Sequence, residues 1–173
     1  EFRMAWIGMI DETSRKVIPV MYAGEEKEYL TKVKIITIED IEQGRGITGK
    51  AMKEGRYVIS NDIETDPQME PWKEESLERG YKSCMSVPII KFNKVVGAFN
   101  FYADVKHSFD QSEIDLLQEA TGDMAYALEN LEKERQRKKA EEAIIVCNDR
   151  FEMLAQATND VIWDWDLVNN KFW

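Results

Sequence analysis

Apolar and polar positions alternate in short runs over the first hundred or so residues, and then the spacing changes to threes and fours. "MAWIGMID" (4–11) and "KVIPVMYAG" (16–24) are apolar runs joined by the polar "DETSRK", the pattern of two strands and a turn. Alternation places Ala5, Ile7 and Met9 on one face of the first strand, suited to lie under helices, and Met4, Trp6 and Gly8 on the other. "YLTKVKIITIEDIEQ" (29–43) mixes both periods and leaves helix and strand open. "GITGKAMKEG" predicts a short helix closed by Gly55, and "YVISND" predicts a strand that runs into polar residues. In "PWKEESLERG", Pro71 suits a helix start and Gly80 its end. "SCMSVPII" and "KVVGAFNFYAD" predict strands joined by the tight turn "KFNK". Phe99 and Phe101 fall on one face of the second, Asn100 and Tyr102 on the other.

The change of period comes at "SFDQSEIDLLQEATGDMAYALENLEK". Ser108 or Asp110 can cap a helix there, with acidic residues in the first turn as the helix dipole prefers. Ile114, Leu117, Thr121, Met124, Leu128 and Leu131 form one stripe, which continues as Arg135, Lys138 and Glu142. No proline follows Pro88. An apolar stripe that turns charged suits a long helix leaving its domain as an exposed linker or a weak coiled coil. The basic run "KERQRKK" (133–139) lies among Glu132, Glu141 and Glu142 and reads as a solvated helix surface. Beyond it, "RFEMLAQATNDVIWDWDLVNNKFW" predicts a short amphipathic helix, a strand and a turn at "VNN".

Composition narrows the function. The chain has 173 residues, 43% hydrophobic and 32% charged, with a net charge of −10 that repels a nucleic-acid backbone. Cys84 and Cys147 lack metal-ligand spacing, and His107 has no Cys, His or carboxylate cluster beside it. Disulfide scaffolds, metal sites and Cys-His catalysis are therefore not expected, and no catalytic residue is assigned. No apolar stretch approaches the roughly 20 residues that cross a bilayer, and no signal peptide is visible. The segment is expected to be cytoplasmic, without direct membrane contact. It starts without methionine and stops at Trp173 within an apolar pattern, so it reads as an excised fragment.

"GRGITGKA" (44–51) imitates a phosphate-binding loop. Gly44, Gly46 and Gly49 fit G-x-G-x-x-G, and with Lys50 they fit all but the last letter of G-x-x-x-x-G-K-[ST]. The context does not fit. "EDIEQ" separates the preceding apolar run from Gly44, Ala51 offers no hydroxyl to magnesium, and the helix lasts only to Gly55. The glycines are expected to shape the approach to a short helix, with Ala51 and Met52 packing inward.

Three separated segments, "GRGITGKAMKEGRYVISNDI", "GYKSCMSVPIIKFNKVVGAFNFYA" and "FDQSEIDLLQEATGDMAYALE", closely resemble a GAF domain over residues 2 to 131. The resemblance implies an α+β fold: a central antiparallel sheet with helices on one face and a small-molecule pocket on the other, followed by a long C-terminal linker helix. The family's first helix, before the first strand, has no counterpart in this sequence. "RFEMLAQATNDVIWDWDL" resembles the opening helix and first strand of a PAS domain. The implied organisation is a GAF-like sensory domain at 1–131, a helical signalling linker at 132–149 and the start of a PAS-like domain at 150–173. In tandem the two resemble the sensory half of a two-component signalling protein such as a histidine kinase.

Sheet alternation and the resemblance together suggest a pocket walled by Trp6, Trp72, Tyr81 and Phe99, with Asn61, Asp62 and Ser86 to orient a ligand. The alternative is that the aromatics are plain core and Asn61–Asp62 a turn. The family's special ligands meet departures. Cyclic-nucleotide binders carry Asn-Lys…Phe…Asp-Glu, but here Phe101 follows Asn100, and Phe109, Asp110 and Glu113 echo the rest only loosely. Bilin binders need Cys next to His, whereas Lys106 precedes His107. A methionine-sulfoxide reductase of this fold needs clustered cysteines, and Cys84 stands apart. The expected function is a non-catalytic sensory or regulatory module, binding an unknown small ligand or forming a homodimer through the helix at 110–147. The rivals are a thiol redox enzyme using Cys84 and a structural GAF domain without a ligand.

Overall fold

Asp11 sets the first turn. Its carboxylate accepts hydrogen bonds from Thr13 N (2.9 Å) and Ser14 Oγ (2.9 Å), and Asp11 N donates to Lys16 O (2.8 Å). These bonds reverse the chain between β1 (Phe2–Ile10) and β2 (Val17–Gly24), as the polar "DETSRK" predicts. The structure is a computed structural model that describes residues 2–14, 16–24, 46–158, 165–166 and 171–172, with side chains through residue 155. The ambiguous 29–43 segment, Gly44 and Arg45 lie outside the described residues.

Helix α1 (Ile47–Glu54) leads to β3 (Val58–Ser60). A 3₁₀ helix (Pro67–Trp72) runs directly into α2 (Lys73–Glu78). Then β4 (Ser83–Lys91) and β5 (Lys94–Ala103) form a hairpin, and α3 spans Gln111–Thr158. Five antiparallel strands make one sheet in the order β2-β1-β5-β4-β3. β2 is an edge strand, which accommodates Pro19 at the register shift after Ile7. Phe92 and Asn93, both at positive φ (50° and 59°), form the two-residue β4–β5 turn. The carboxylate of Glu129 accepts a hydrogen bond from Phe92 N at 2.6 Å.

The sheet has two differently covered faces. Met85, Val87 and Phe101 pack with Phe109, Ile114 and Leu117 of the α3 side, and Ala5 and Phe99 join them. On the other face, Met4, Trp6, Cys84, Ala98 and Tyr102 pack with Ile47, Ala51 and Met52 of α1, and with Met69 and Trp72 of the 3₁₀ helix. Ala5 therefore lies under α3, and Trp6 faces α1, as alternation along β1 requires. Burying each large apolar side chain in these layers contributes roughly 1.5–3 kcal/mol.

Two expectations need correction. The helix expected to start at Pro71 begins earlier, because Asp66 caps the 3₁₀ segment by accepting from Gln68 N (2.9 Å) and Pro67 occupies a first-turn position. The separate amphipathic helix expected after residue 149 is instead the last part of α3, since no glycine or proline interrupts the backbone from Ala125 to Thr158. Asp110 is the cap of that helix, accepting from Glu113 N at 3.0 Å, while Ser108 Oγ donates to Val105 O.

The chain divides into two compact units, Glu1–Glu129 and Asn130–Trp173. Within the second, Arg137 pairs with Glu134 (2.9 Å) and Glu141 (2.6 Å) along an exposed helical surface, as the basic run predicts. Trp165–Asp166 pairs antiparallel with Lys171–Phe172, and the expected "VNN" turn lies outside the described residues.

Candidate functional site

Gly46 and Trp72 begin the site. Gly46 is the N-cap of α1, and a Cβ built there would stand 2.6 Å from the Trp72 ring. Only glycine lets the indole lie flat against the start of the helix. Gly55 closes α1 at φ 66°, the left-handed conformation of a C-cap. The glycine-rich segment is thus structural where it is described. Lys50 Nζ donates to Gln68 Oε1 at 2.7 Å, and Ala51 is fully buried.

Register then assembles a polar row beneath α1. Asn100 on β5 pairs with Trp6 on β1 and with Ser86 on β4, so the three side chains share one face and cross three strands. Ser60 on β3 pairs with Cys84, one step along the same face. Thr48 reaches down from α1, and its hydroxyl donates to Asn100 Oδ1 at 2.8 Å. The Asn100 amide donates at 3.4 Å to the carbonyls of Trp6 and Ala98. Asn100 is therefore a fully engaged strut that ties α1 to the sheet.

Its neighbours are different. Trp6 Nε1, Ser60 Oγ and Ser86 Oγ are buried without a hydrogen-bond partner among the described residues. Trp6 is 1% exposed and Ser86 0%. Such atoms cost about 1–3 kcal/mol each when left unmade, so three on one face need an explanation. Apolar groups surround them. The Tyr81 ring meets Tyr102 at a tilt of 44°, centroids 5.0 Å apart, and its hydroxyl lies 3.5 Å from Met4 Sδ, while Cys84 Sγ lies 3.7 Å from Met69 Sδ. Burial, reinforced by Asp66, pushes the Cys84 thiol well above its ordinary range, so the nucleophilic thiolate is disfavoured. Every buried polar side chain among the described residues is neutral.

The structure gathers Trp6, Trp72, Tyr81 and Ser86 of the sequence-suggested pocket on this face, and it places the other three elsewhere. Phe99 pairs with Ile7 and Val87 and faces α3, 4.3 Å from the Phe101 ring. Asn61 clamps the start of α3: its Nδ2 donates to Phe109 O (3.3 Å) and its Oδ1 accepts from Phe109 N (3.2 Å). Asp62 holds Lys106 at 3.0 Å, and that hydrogen bond, more than any other contact, keeps its carboxyl below the ordinary value. Thr48, Ser60 and Asn100 are not among the seven suggested pocket residues, although Ser60 adjoins Asn61 and Asn100 is weighed for the cyclic-nucleotide signature. Their signal is a small polar side chain at inward positions of otherwise apolar elements.

A groove of about 450 Å³ lies on the opposite side of the sheet, lined by Tyr57, Val87, Ile90, Gln118, Thr121 and Tyr126. It contains none of the seven suggested pocket residues. The unpartnered polar atoms mark the α1 face as the better candidate, since the buried Thr121 hydroxyl is satisfied by Leu117 O at 2.7 Å.

This architecture has relatives. The family model for the GAF domain matches residues 1–129, the greater part of the chain. The chain belongs to the GAF domain family. Among solved structures, this GAF chain is similar to the GAF domain region of a Geobacter sulfurreducens protein, with TM-score 0.62 and 21% identity over 73% of this chain and 81% of that one. It is also similar to free methionine-R-sulfoxide reductase from Neisseria meningitidis in complex with its substrate (TM-score 0.59, 20% identity, 79% and 71% covered). A third is a domain assigned to a two-component sensor histidine kinase protein from Sinorhizobium meliloti (0.59, 16%, 79% and 84%). At these identities the likeness is one of fold, shared by signalling domains and by an enzyme. No curated protein matches the chain. No helix among the described residues is long and apolar enough to cross a membrane.

Proposed function

We propose that this GAF domain is a non-catalytic sensory module that binds a small, partly apolar molecule on the α1 face of its sheet. One observation carries the reading: three fully buried polar atoms, on Trp6, Ser60 and Ser86, stand unpartnered among aromatic and methionine side chains. A built face with a few polar groups inside an apolar lining is the usual form of a small-molecule site. The rival redox function needs a reactive thiolate, and burial of Cys84 argues against one there.

The output runs through α3. We place a homodimer contact on the helix at 110–147, a PAS-like start at 150–173 and a cytoplasmic two-component protein, histidine-kinase-like, around the fragment. Exposed Leu131, Ile144, Ile145 and Val146 support pairing, because surface apolar side chains on a solvated helix gain from a partner. Native mass spectrometry of the purified chain tests the binding reading. A bound small molecule, lost in Ser86→Leu, is the expected result; retention of that mass in a folded Ser86→Leu protein places the molecule elsewhere.

A further inference from the structure

We infer that the molecule held on the α1 face is uncharged and presents a hydrogen-bond acceptor, such as an amide or other carbonyl oxygen, to the Trp6 indole N–H. The inference rests on the binding reading above and deepens it. An indole nitrogen only donates, so whatever completes Trp6 must accept. No protein group does so among the described residues. Asn100 is not that acceptor: its oxygen accepts from Thr48, its amide donates to two backbone carbonyls, and Trp6 Nε1 makes no bond to it. The hydroxyls of Ser60 and Ser86, which can donate or accept, complete the polar edge. Ser76 Oγ on α2 is a fourth unpartnered atom, outside the sheet.

Neutrality follows from the lack of a fully buried charge, since Asp66, whose charge bears on Cys84, and Lys50, held by Gln68, are both only half-buried. The buried polar side chains of the described residues are serine, threonine and asparagine, with no buried cation or carboxylate. A ligand charge brought beside Trp6 would lose its water without gaining a counter-charge there. The body of the ligand lies instead against Met4, Met69, Trp72 and Tyr81, which belong to one apolar cluster. Separate buried waters could satisfy these atoms, which belong to β1, β4 and β3, and the test separates them from a ligand.

The test uses the full chain labelled with ¹⁵N and three probes of similar shape: benzamide, benzoate and toluene. Tryptophan indole peaks report binding, with Trp6 assigned by its absence in Trp6→Phe. Should that variant not fold, proximity of the indole to Gly8 makes the assignment. The expected result is a saturable shift of the Trp6 peak with benzamide, with benzoate and toluene about tenfold weaker. Ser86→Ala should weaken benzamide several-fold. Equal shifts from toluene or benzoate would overturn the acceptor inference while leaving the binding face intact. A Trp6 peak unmoved by benzamide overturns the acceptor inference; the binding reading falls with it only if native mass spectrometry also finds no bound molecule.

Discussion

Removing the Thr48 hydroxyl and removing the Ser86 hydroxyl should have opposite consequences, although both groups are buried on the same face of the sheet. Thr48→Val keeps the shape of the side chain but deletes the 2.8 Å donor to Asn100 Oδ1. Asn100 is 0% exposed, so its oxygen is left without water or protein. An orphaned buried acceptor costs about 1–3 kcal/mol, and for a domain of this size the melting temperature should fall by roughly 3–10 °C. Ser86→Ala deletes a hydroxyl that has no partner, so no bond is lost. The ligand-free protein should keep its stability or gain up to about 1 kcal/mol. Urea denaturation of dialysed protein, followed by tryptophan fluorescence, measures both. A loss in Ser86→Ala as large as that in Thr48→Val would show that the serine hydroxyl serves the fold, and the argument for an open polar row would collapse.

Four further outcomes follow from the same structure. Gly46→Val should destabilise the domain by about 1–3 kcal/mol, because its Cβ meets the Trp72 ring at 2.6 Å; unchanged urea unfolding would contradict that packing. A native thiol titration should find Cys147 reactive and Cys84 silent until denaturant is added, since Cys84 is buried and its thiol is raised by burial. Lys106 holds Asp62 below 3.8, and Glu64 first, then Asp62, hold Lys106 above 10.5, so the Asp62 contribution is complete above pH 3.8 and lost as pH falls through its lower folded value. The Lys106 contribution is complete below pH 10.5 and lost as pH rises through its higher folded value, and Lys106→Met should flatten both limbs of the stability profile. For the proposed helix pairing, sedimentation of wild type should show concentration-dependent dimer that Leu131→Glu weakens; a monomer at high micromolar concentration would end that proposal.

Much of the fold could be read from alternation and punctuation, and the failures have specific causes. β1 separates its faces because Gly8, Trp6 and Met4 fall together, and β4 and β5 are bounded by a turn residue, Asn93, that tolerates positive φ. Alternation puts Phe99 on the face of Phe101, as observed, but its grouping with Trp6 fails because β5 carries aromatics on both faces, and its pairing with Val87 and Ile7 becomes visible only in the folded register. Asn61 and Asp62 have the chemistry of ligand-orienting groups, but long-range contacts to Phe109 and Lys106 engage their side chains. The row of Trp6, Ser60 and Ser86 was only half legible. Small serines look like ordinary strand residues until their missing partners are known. The charged stripe after Leu131 correctly announced an exposed helix, since ion pairs at three- and four-residue spacing need no tertiary contact.

The most direct test of the binding claim is a melting-temperature screen of small neutral molecules against dialysed wild type and Ser86→Leu in parallel. Leucine puts a bulkier apolar side chain on β4, across Asn100 from Trp6, and removes the hydroxyl, and circular dichroism establishes that the variant folds. A compound present at 100 times its Kd adds about 2.7 kcal/mol of stability, well within reach of the assay. The account predicts compounds that raise the wild-type melting temperature and leave Ser86→Leu unmoved. A screen in which no compound stabilises the wild type, or in which Ser86→Leu responds equally, would contradict it.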